Sequence, residues 1–372
     1  MAGVLEHRRE YLRLMRQFTQ DAGFFTVTDI QKAAGIPRST AQDWISRLVR
    51  EGCVIVRREK SGRAAARYAA ISAVPQSTCR RIFTTTDGER VEIFHECLSG
   101  ACASFCGFHH ARAGGVLTSV HRDGTLLREC ARTGNAEIEI GLSPRAAVGV
   151  AGISLEGDRI VQRIRCIGGP AYSLTDMMSR ADGVLNVRPG VREGIVEGLV
   201  CTRALAHLTI GVDDTDTEEG GATFALALAL LTRLVAEKGV LPISHHVVML
   251  FENIPEKTAG NSASYIELAV PPSRIDHVMA KAREFVENEA LSPEWGIALY
   301  RGMTIPPLLR EFGQRVRETV VDRSFAEAMA GKAGIVLYGG RGVIGALGAI
   351  SLARLPHEVQ MDPLRKIDEA CS

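Results

Sequence analysis

The feature that most constrains the fold is an apolar run that ends abruptly in carboxylates. Residues 208–212 are apolar and partly β-branched, which predicts a buried strand, and Asp213, Asp214 and Asp216 follow it directly. Carboxylates this close together repel one another and are costly to hold at the end of a buried strand. Their oxygen atoms suit Mg²⁺, so we predict that the three aspartates bind this ion. The alternative is a solvated acidic loop that caps a helix.

A glycine-containing loop and a helix follow the aspartates. Gly220 and Gly221 precede Thr223, which opens a predicted helix over residues 224–237. The first N–H groups of a helix lack partners within the helix, and the helix dipole favours an anion at this end. Carboxylates for a metal beside a helix start predict a site for a nucleoside triphosphate.

Three segments in the same order resemble motifs of the archaeal tRNA-isoleucine agmatinylcytidine synthetase family. They are residues 210–216 with Gly220 and Thr223, residues 253–261, and the glycine-rich residues 339–350. The resemblance covers residues 205–372 and implies a kinase-like domain that uses ATP and Mg²⁺ to activate a tRNA cytidine for attack by agmatine. It also implies that Thr223 becomes phosphorylated. In that family the first motif lies near the N-terminus, whereas here it starts only at Ile210, so we do not carry over the tRNA substrate.

The same resemblance implies further site residues. Asp213, Asp214 and Asp216 would hold Mg²⁺, and Lys257 and Arg341 would neutralise phosphate charge. Three polar residues are expected to orient phosphates or the nucleophile: Asn253, Thr258 and Asn261. The glycines expected to lie against the nucleotide are Gly220, Gly221, Gly260, Gly339, Gly340 and Gly342.

The first part of the chain is basic, although the whole chain, with 44 Lys and Arg against 43 Asp and Glu, is almost neutral. Residues 1–71 contain 13 basic and 7 acidic residues. An excess of positive charge on a small segment is typical of a surface that binds a polyanion.

Apolar spacing in this basic segment predicts a winged helix–turn–helix domain. An amphipathic first helix precedes a short helix over residues 29–34, which Thr28 would cap and Gly35 would end. Ser39 would cap a recognition helix through Glu51, and two short strands with a basic turn would follow. The residues predicted to contact DNA bases or phosphates are Arg38, Ser39, Thr40, Gln42, Asp43, Arg47, Arg57, Arg58, Lys60 and Arg63. The alternative is a winged helix that mediates dimerisation or protein contact.

The middle region is predicted to be rich in strands and contains a cysteine–histidine cluster. Strands are predicted over residues 91–94, 116–120, 136–140 and 160–164. Cys97, Cys102 and Cys106 are the best candidates for metal ligands, and the candidates for a fourth ligand are Cys130, His109 and His95. Zinc or an iron–sulfur cluster would suit these ligand types, although the spacing matches no common motif for either. The alternative is a set of buried thiols that act as small hydrophobic groups.

Together these patterns predict a multidomain α+β protein. We expect a winged helix–turn–helix domain at residues 1–72, a strand-rich domain at 73–205, and an α/β nucleotide-binding domain at 206–372. No apolar run reaches the roughly 18 residues of a membrane span, and we expect a cytoplasmic protein. Two functions remain open. One is a DNA-binding transcriptional regulator, with a homodimer as one arrangement, whose C-terminal domain binds ATP and Mg²⁺ as a sensor or phosphotransferase. The other is an ATP-dependent enzyme that modifies a nucleic acid, such as tRNA.

Overall fold

The computed structural model describes residues 2–62, 64–73, 78–168, 174, 177–192, 194–254 and 260–367. Its first part contains three helices and a two-stranded antiparallel sheet: α1 (Ala2–Ala22), α2 (Val27–Ala34), α3 (Arg38–Arg50), β1 (Val54–Arg58) and β2 (Arg67–Ala70). Their apolar faces enclose one core, in which Met15, Phe25, Ile30, Ile45 and Leu48 are fully buried. The predicted winged helix–turn–helix arrangement is confirmed.

Two helix starts in this domain differ from the sequence prediction. Thr26, not Thr28, caps α2, because its hydroxyl accepts from the N–H of Asp29 while the Asp29 carboxylate accepts from the N–H of Thr26. This reciprocal pair is a capping box, in which two unpaired donors find partners. The helix α3 begins at Arg38 after Pro37, so Ser39 lies inside it and does not cap it.

The middle region is rich in strands, as predicted. Among its described residues are one α-helix, α4 (Gly100–Ala113), and eight strands: β3 (Cys79–Thr86), β4 (Arg90–Cys97), β5 (Leu117–Asp123), β6 (Leu126–Arg132), β7 (Gly134–Asn135), β8 (Val148–Glu156), β9 (Arg159–Cys166) and β10 (Val184–Arg192). The strand predicted over residues 136–140 is wrong, since only Ile140 forms an isolated bridge there, with Ala146.

The last part of the chain is a sheet between two layers of helices. Its strands are β11 (Ile195–Asp213), β12 (Leu241–Met249), β13 (Ser262–Val270), β14 (Gly296–Arg301) and β15 (Val336–Gly339), and its helices are α5 (Thr223–Val235), α6 (Ile275–Glu289), α7 (Pro307–Glu318), α8 (Arg323–Ala333), α9 (Val343–Ser351) and α10 (His357–Met361). The pairs among these five strands are antiparallel. One core packs α5 and α6 on one face, and another packs α7, α8 and α9 on the other.

The strand β11 connects the middle and last parts of the chain. Its first half pairs with β9 and β10, and its second half pairs with β13 and β14. The boundary predicted between residues 205 and 206 therefore lies inside one strand. Through β11, the strands β3 to β15 form a single 13-stranded sheet in the part of the chain that the structure describes. No helix among those residues has the length and hydropathy needed to cross a membrane.

Candidate nucleotide and nucleic-acid sites

The predicted acidic motif lies where β11 leaves the sheet. Asp213 is the last residue of the strand and pairs with Gly296 of β14. Asp214 then adopts a left-handed conformation with φ of 58°, which is uncommon for a residue other than glycine. This sharp turn ends the strand and places the three carboxylates at the edge of one cavity, together with Arg341.

A short chain of hydroxyl contacts joins the acidic turn to the start of α5. The Thr215 hydroxyl lies 3.1 Å from that of Thr223, and the Thr223 hydroxyl donates to Oδ1 of Asp216 at 2.8 Å. Thr223 is the first residue of α5, and Ala222 before it provides no side-chain cap. The start of the helix thus faces the acidic turn without a capping side chain, and the anion site predicted there stays a prediction.

The carboxylates affect one another electrostatically. Burial and the neighbouring charge of Asp214 raise the pKa of Asp213 well above its usual range, and the charge of Asp216 adds a smaller part of the shift. Arg341 opposes it, with Nη2 lying 3.8 Å from Oδ2 of Asp214. Carboxylates that resist ionisation together are stabilised when a cation binds among them, so the donor set fits Mg²⁺.

The cavity beside the aspartates has a volume of about 400 Å³. Pockets of this size accommodate small organic ligands. Its polar lining includes the aspartates, Thr223, Asn261 and Arg341, and Gly221, Gly260, Gly342 and Gly345 also line it. Its apolar lining includes Phe224, Phe251 and Val316. A lining with both polar and apolar groups suits a phosphorylated aromatic ligand.

The glycine-rich segment contacts protein rather than open space. The N–H of Gly340 donates to the Trp295 carbonyl at 2.7 Å, and the N–H of Gly342 donates to the Glu294 carbonyl at 2.8 Å. A Cβ on Gly339 would overlap Trp295, and one on Gly345 would overlap the Asp213 carboxylate. In this segment Gly342 and Gly345 line the cavity, whereas Gly339 and Gly340 allow the segment to pack against the chain before β14.

The second predicted segment is only partly described. Lys257 and Thr258 lie outside the described residues. Asn253 is exposed and is not part of the cavity lining. The Asn261 side chain lines the cavity and donates to the Phe251 carbonyl at 2.7 Å. Asn261 therefore holds this part of the cavity lining in place. Gly220 belongs to the loop before α5, where its carbonyl closes a turn by accepting from the N–H of Thr217 at 2.9 Å.

The N-terminal domain presents a polar helix face and a basic hairpin. Ala41, Ile45 and Leu48 of α3 face the core, so the opposite face is free of the core. Eight predicted contact residues are exposed: Arg38, Ser39, Gln42, Asp43, Arg47, Arg57, Arg58 and Lys60. Thr40 is half-buried on α3, and Arg63 lies outside the described residues. The Arg47 side chain is bound to Glu51 at 2.9 Å, which neutralises part of its charge.

The predicted cysteine cluster is partly brought together. Cys97 ends β4, and Cys102 and Cys106 lie on α4 against it. Of the three candidates for a fourth ligand, His95 lies with Cys97 and Cys106. The other two lie elsewhere: His109 accepts from the N–H of Ala147 at 3.1 Å, and the Cys130 thiol faces Glu92 at 4.0 Å. Cys79, which the sequence analysis did not select, lies opposite Cys97 on β3.

A larger cleft and a buried charge network were also missed. The cleft has a volume of about 1700 Å³ and lies between the middle region and the last part of the chain. In its lining Arg128 binds Glu267 at 3.2 Å and Glu92 at 3.1 Å, and Arg354 binds Glu267 at 2.8 Å. His207 contacts both carboxylates, at 3.1 and 3.0 Å. No local motif signals this network, because its members come from distant parts of the chain.

The fold and the sites define a chain with a helix–turn–helix domain in its first part and, in its last part, an α/β domain with a cavity lined by aspartates. Comparison with known families agrees at both ends. Residues 20–74 match the family described as sugar-specific transcriptional regulator TrmB, and residues 209–341 match the TiaS TCKD domain. The resemblance identified from the motifs is confirmed for both parts.

Individual relatives show how far the similarity extends. The chain is 25% identical over 267 residues to an uncharacterized protein of Methanocaldococcus jannaschii, which covers 70% of this chain and 87% of that protein. It is 33% identical over 152 residues to the tRNA 2-agmatinylcytidine synthetase TiaS of Methanosarcina acetivorans, which covers 38% of this chain and 35% of the synthetase. The crystal structure of TiaS in complex with its tRNA and ATP matches with 25% identity and a TM-score of 0.36, over 39% of this chain and 36% of that one. The chain thus spans about a third of the length of these synthetases.

Proposed function

We propose that this protein is a DNA-binding transcriptional regulator whose C-terminal domain binds ATP with Mg²⁺. The observation that carries the proposal is the combination, on one chain, of an exposed polar face on α3 beside a basic hairpin and a metal-suited cavity beyond β11. In helix–turn–helix proteins the second helix of the motif enters the major groove, and the wing contacts the backbone. We expect a cytoplasmic homodimer, because such regulators read two half-sites related by a two-fold axis.

The nucleotide part of the proposal rests on the cavity residues. Asp213, Asp214 and Asp216 would hold Mg²⁺, and Arg341 would contact phosphate as a planar fork. The ion would neutralise phosphate charge that the aspartates alone would repel. The Thr223 hydroxyl, bound to Asp216, is in place to accept a phosphoryl group if the domain shares the property implied by its resemblance to the synthetase family.

A second function belongs to another class: an ATP-dependent enzyme that modifies tRNA. The match of residues 209–341 to the TiaS TCKD domain favours it. The matched relatives of known activity are tRNA 2-agmatinylcytidine synthetases. In this alternative the N-terminal domain would hold an RNA substrate while the C-terminal domain consumes ATP.

One experiment separates the two functions. The full chain is used to select from a pool of random duplex DNA, and its ATP hydrolysis is measured with and without a pool of folded tRNA. A regulator enriches a defined DNA sequence and hydrolyses ATP at a rate that tRNA leaves unchanged. A pool without an enriched sequence, together with ATP hydrolysis that tRNA stimulates, would overturn the regulator in favour of the enzyme.

The salt dependence of binding identifies the phosphate contacts in the same experiment. Each neutralised phosphate contributes about 0.9 to the slope of log affinity against log salt. Arg58→Ala should lower that slope by about 0.9, the contribution of one phosphate contact. Arg323 is an exposed arginine on α8, and Arg323→Ala should leave the slope unchanged.

A further inference from the structure

Between α4 and the sheet of the middle region, four thiols and one imidazole meet in a largely buried space. Cys79 of β3 lies opposite Cys97 of β4, and His95 lies two residues before Cys97, so all three project from the same face of the sheet. α4 covers this face and presents Cys102 and Cys106, which lie one helical turn apart. Two independent elements thus bring their metal-ligating side chains to one place.

The distances suit a single ion. The ligand atoms of His95, Cys97 and Cys106 all lie within 4.8 Å of one another, and Nε2 of His95 is 3.7 Å from Sγ of Cys97. With Zn–S bonds of about 2.3 Å, the ligand atoms of a tetrahedral zinc site lie about 3.8 Å apart. Iron–sulfur clusters are held mainly by four thiolates, whereas zinc sites commonly combine thiolates with an imidazole, as this group does.

The position of α4 is fixed independently of the thiols. Ser99 caps the helix by accepting from the N–H of Cys102 at 3.2 Å, and Gly107 brings the helix close to Leu127 of β6. At the far side, His110 and Glu129 form a buried pair with 2.6 Å between Nδ1 and Oε1. The two thiols of α4 are therefore held over the sheet by contacts on either side.

The three thiols of the cluster lie close to one another. Hydrogen bonds join Cys102 to both Cys97 and Cys106, so Cys102 belongs to the same group as the other two thiols. Thiolates and a neutral imidazole are the forms that bind zinc.

We propose that Cys97, Cys102, Cys106 and His95 bind one zinc ion that clamps α4 to β4, with Cys79 as an adjacent thiol. This site is independent of the nucleotide cavity and of the DNA-binding face. Three thiolates and one imidazole close a tetrahedral coordination shell, which is the form of a structural zinc site. Because such a site is not preformed in an unfolded chain, binding should stabilise the middle region.

The first measurement is the metal content of the full chain, purified with reductant and without chelator. Elemental analysis should find about one zinc per chain and no stoichiometric iron. Cys102→Ser should reduce the zinc content to a small fraction of that value. The matched control is Cys130→Ser, which removes a nearby thiol that faces Glu92 and should keep the zinc.

A second measurement guards against a variant that fails to fold. Purified wild-type protein is stripped with chelator and titrated with Co²⁺, which should give thiolate charge-transfer absorption and the visible bands of a tetrahedral ion at one equivalent. Stoichiometric iron with acid-labile sulfide, or folded protein with neither metal, would overturn the proposal. So would a deficit of two titratable thiols in unreduced, denatured protein, because this would mean a disulfide. Metal lost in Cys79→Ser but kept in His95→Gln would overturn the ligand set.

Discussion

Asp214 shows what a sequence reveals about a single residue and what it conceals. The acidic motif and its position at the end of a strand could be predicted from the apolar run before it. The left-handed backbone of Asp214, with φ of 58°, could not, because it depends on the packing of the segment around Arg341 and Gly342 against the strand end. The same turn places Asp213 and Asp216 on one cavity, and this placement makes the carboxylates a candidate metal site.

Asp214→Asn should weaken ATP binding only when Mg²⁺ is present. The substitution removes one charge and one ligand oxygen, and losses of about tenfold or more in affinity are typical when metal coordination is disturbed. Calorimetric titration with ATP, with Mg²⁺ and then with EDTA, measures the effect. Glu218→Gln is the control, because it removes a charge from the same loop without lining the cavity. Equal ATP affinity with and without Mg²⁺ in the wild-type protein would contradict the metal assignment.

At the scale of elements, patterns predicted which helices and strands exist better than how they meet. Apolar spacing was sufficient for α1, α3 and α5. A glycine-rich sequence, in contrast, does not reveal whether a ligand or another backbone approaches it, and here Gly339 and Gly340 pack against Trp295 and Glu294. Cys79 was missed for a related reason. A bulge between Cys79 and Arg81 shifts the register by one residue, so simple counting across the hairpin places Arg80 opposite Cys97.

Gly345→Ala should both destabilise the protein and disturb the nucleotide cavity. A Cβ at this position would overlap the Asp213 carboxylate, so the start of α9 must move away from the end of β11. Overpacking of this kind typically costs about 1–3 kcal/mol. Urea denaturation measures the stability, and the ATP titration described above reports on the cavity.

Gly331→Ala is the matched control for this helix–strand contact. Gly331 lies inside α8, and an added methyl group would meet nothing within 4 Å, so alanine should stabilise the helix by about 0.5–1 kcal/mol. A Gly345→Ala protein that is as stable as the wild type and binds ATP equally would show that the close approach of α9 is not required.

At the scale of the whole molecule, the sequence predicted the parts and missed what connects them. β11 belongs to both the middle and the last regions, and a buried charge network reinforces this connection. Arg128 and Glu92 come from the middle region, whereas Glu267 and Arg354 come from the last one. Arg354 and Glu92 are 262 residues apart in the chain. Only the three-dimensional fold brings such residues together, so no local pattern could indicate them.

Glu267→Gln should strongly destabilise the protein near neutral pH. Glu267 is 1% exposed, and its loss would leave Arg128 and Arg354 without one of their two carboxylate partners. Removing one partner from a buried ion pair costs about 3–5 kcal/mol. Glu327→Gln, which breaks an exposed pair with Arg323 on α8, should leave the urea midpoint almost unchanged.

The pH dependence of the Glu267→Gln effect tests its electrostatic origin. Burial alone would raise the pKa of Glu267, but the charges of Arg128 and Arg354 hold it well below its usual value. A carboxylate with a depressed pKa stabilises the fold above its unfolded pKa of about 4.3, and this contribution is lost as the pH falls further. Urea denaturation of both proteins between neutral and acidic pH should therefore show a stability difference that is constant near neutrality and shrinks below about pH 4. A difference that stays constant down to the acid limit of folding would mean that packing, rather than charge, accounts for the effect.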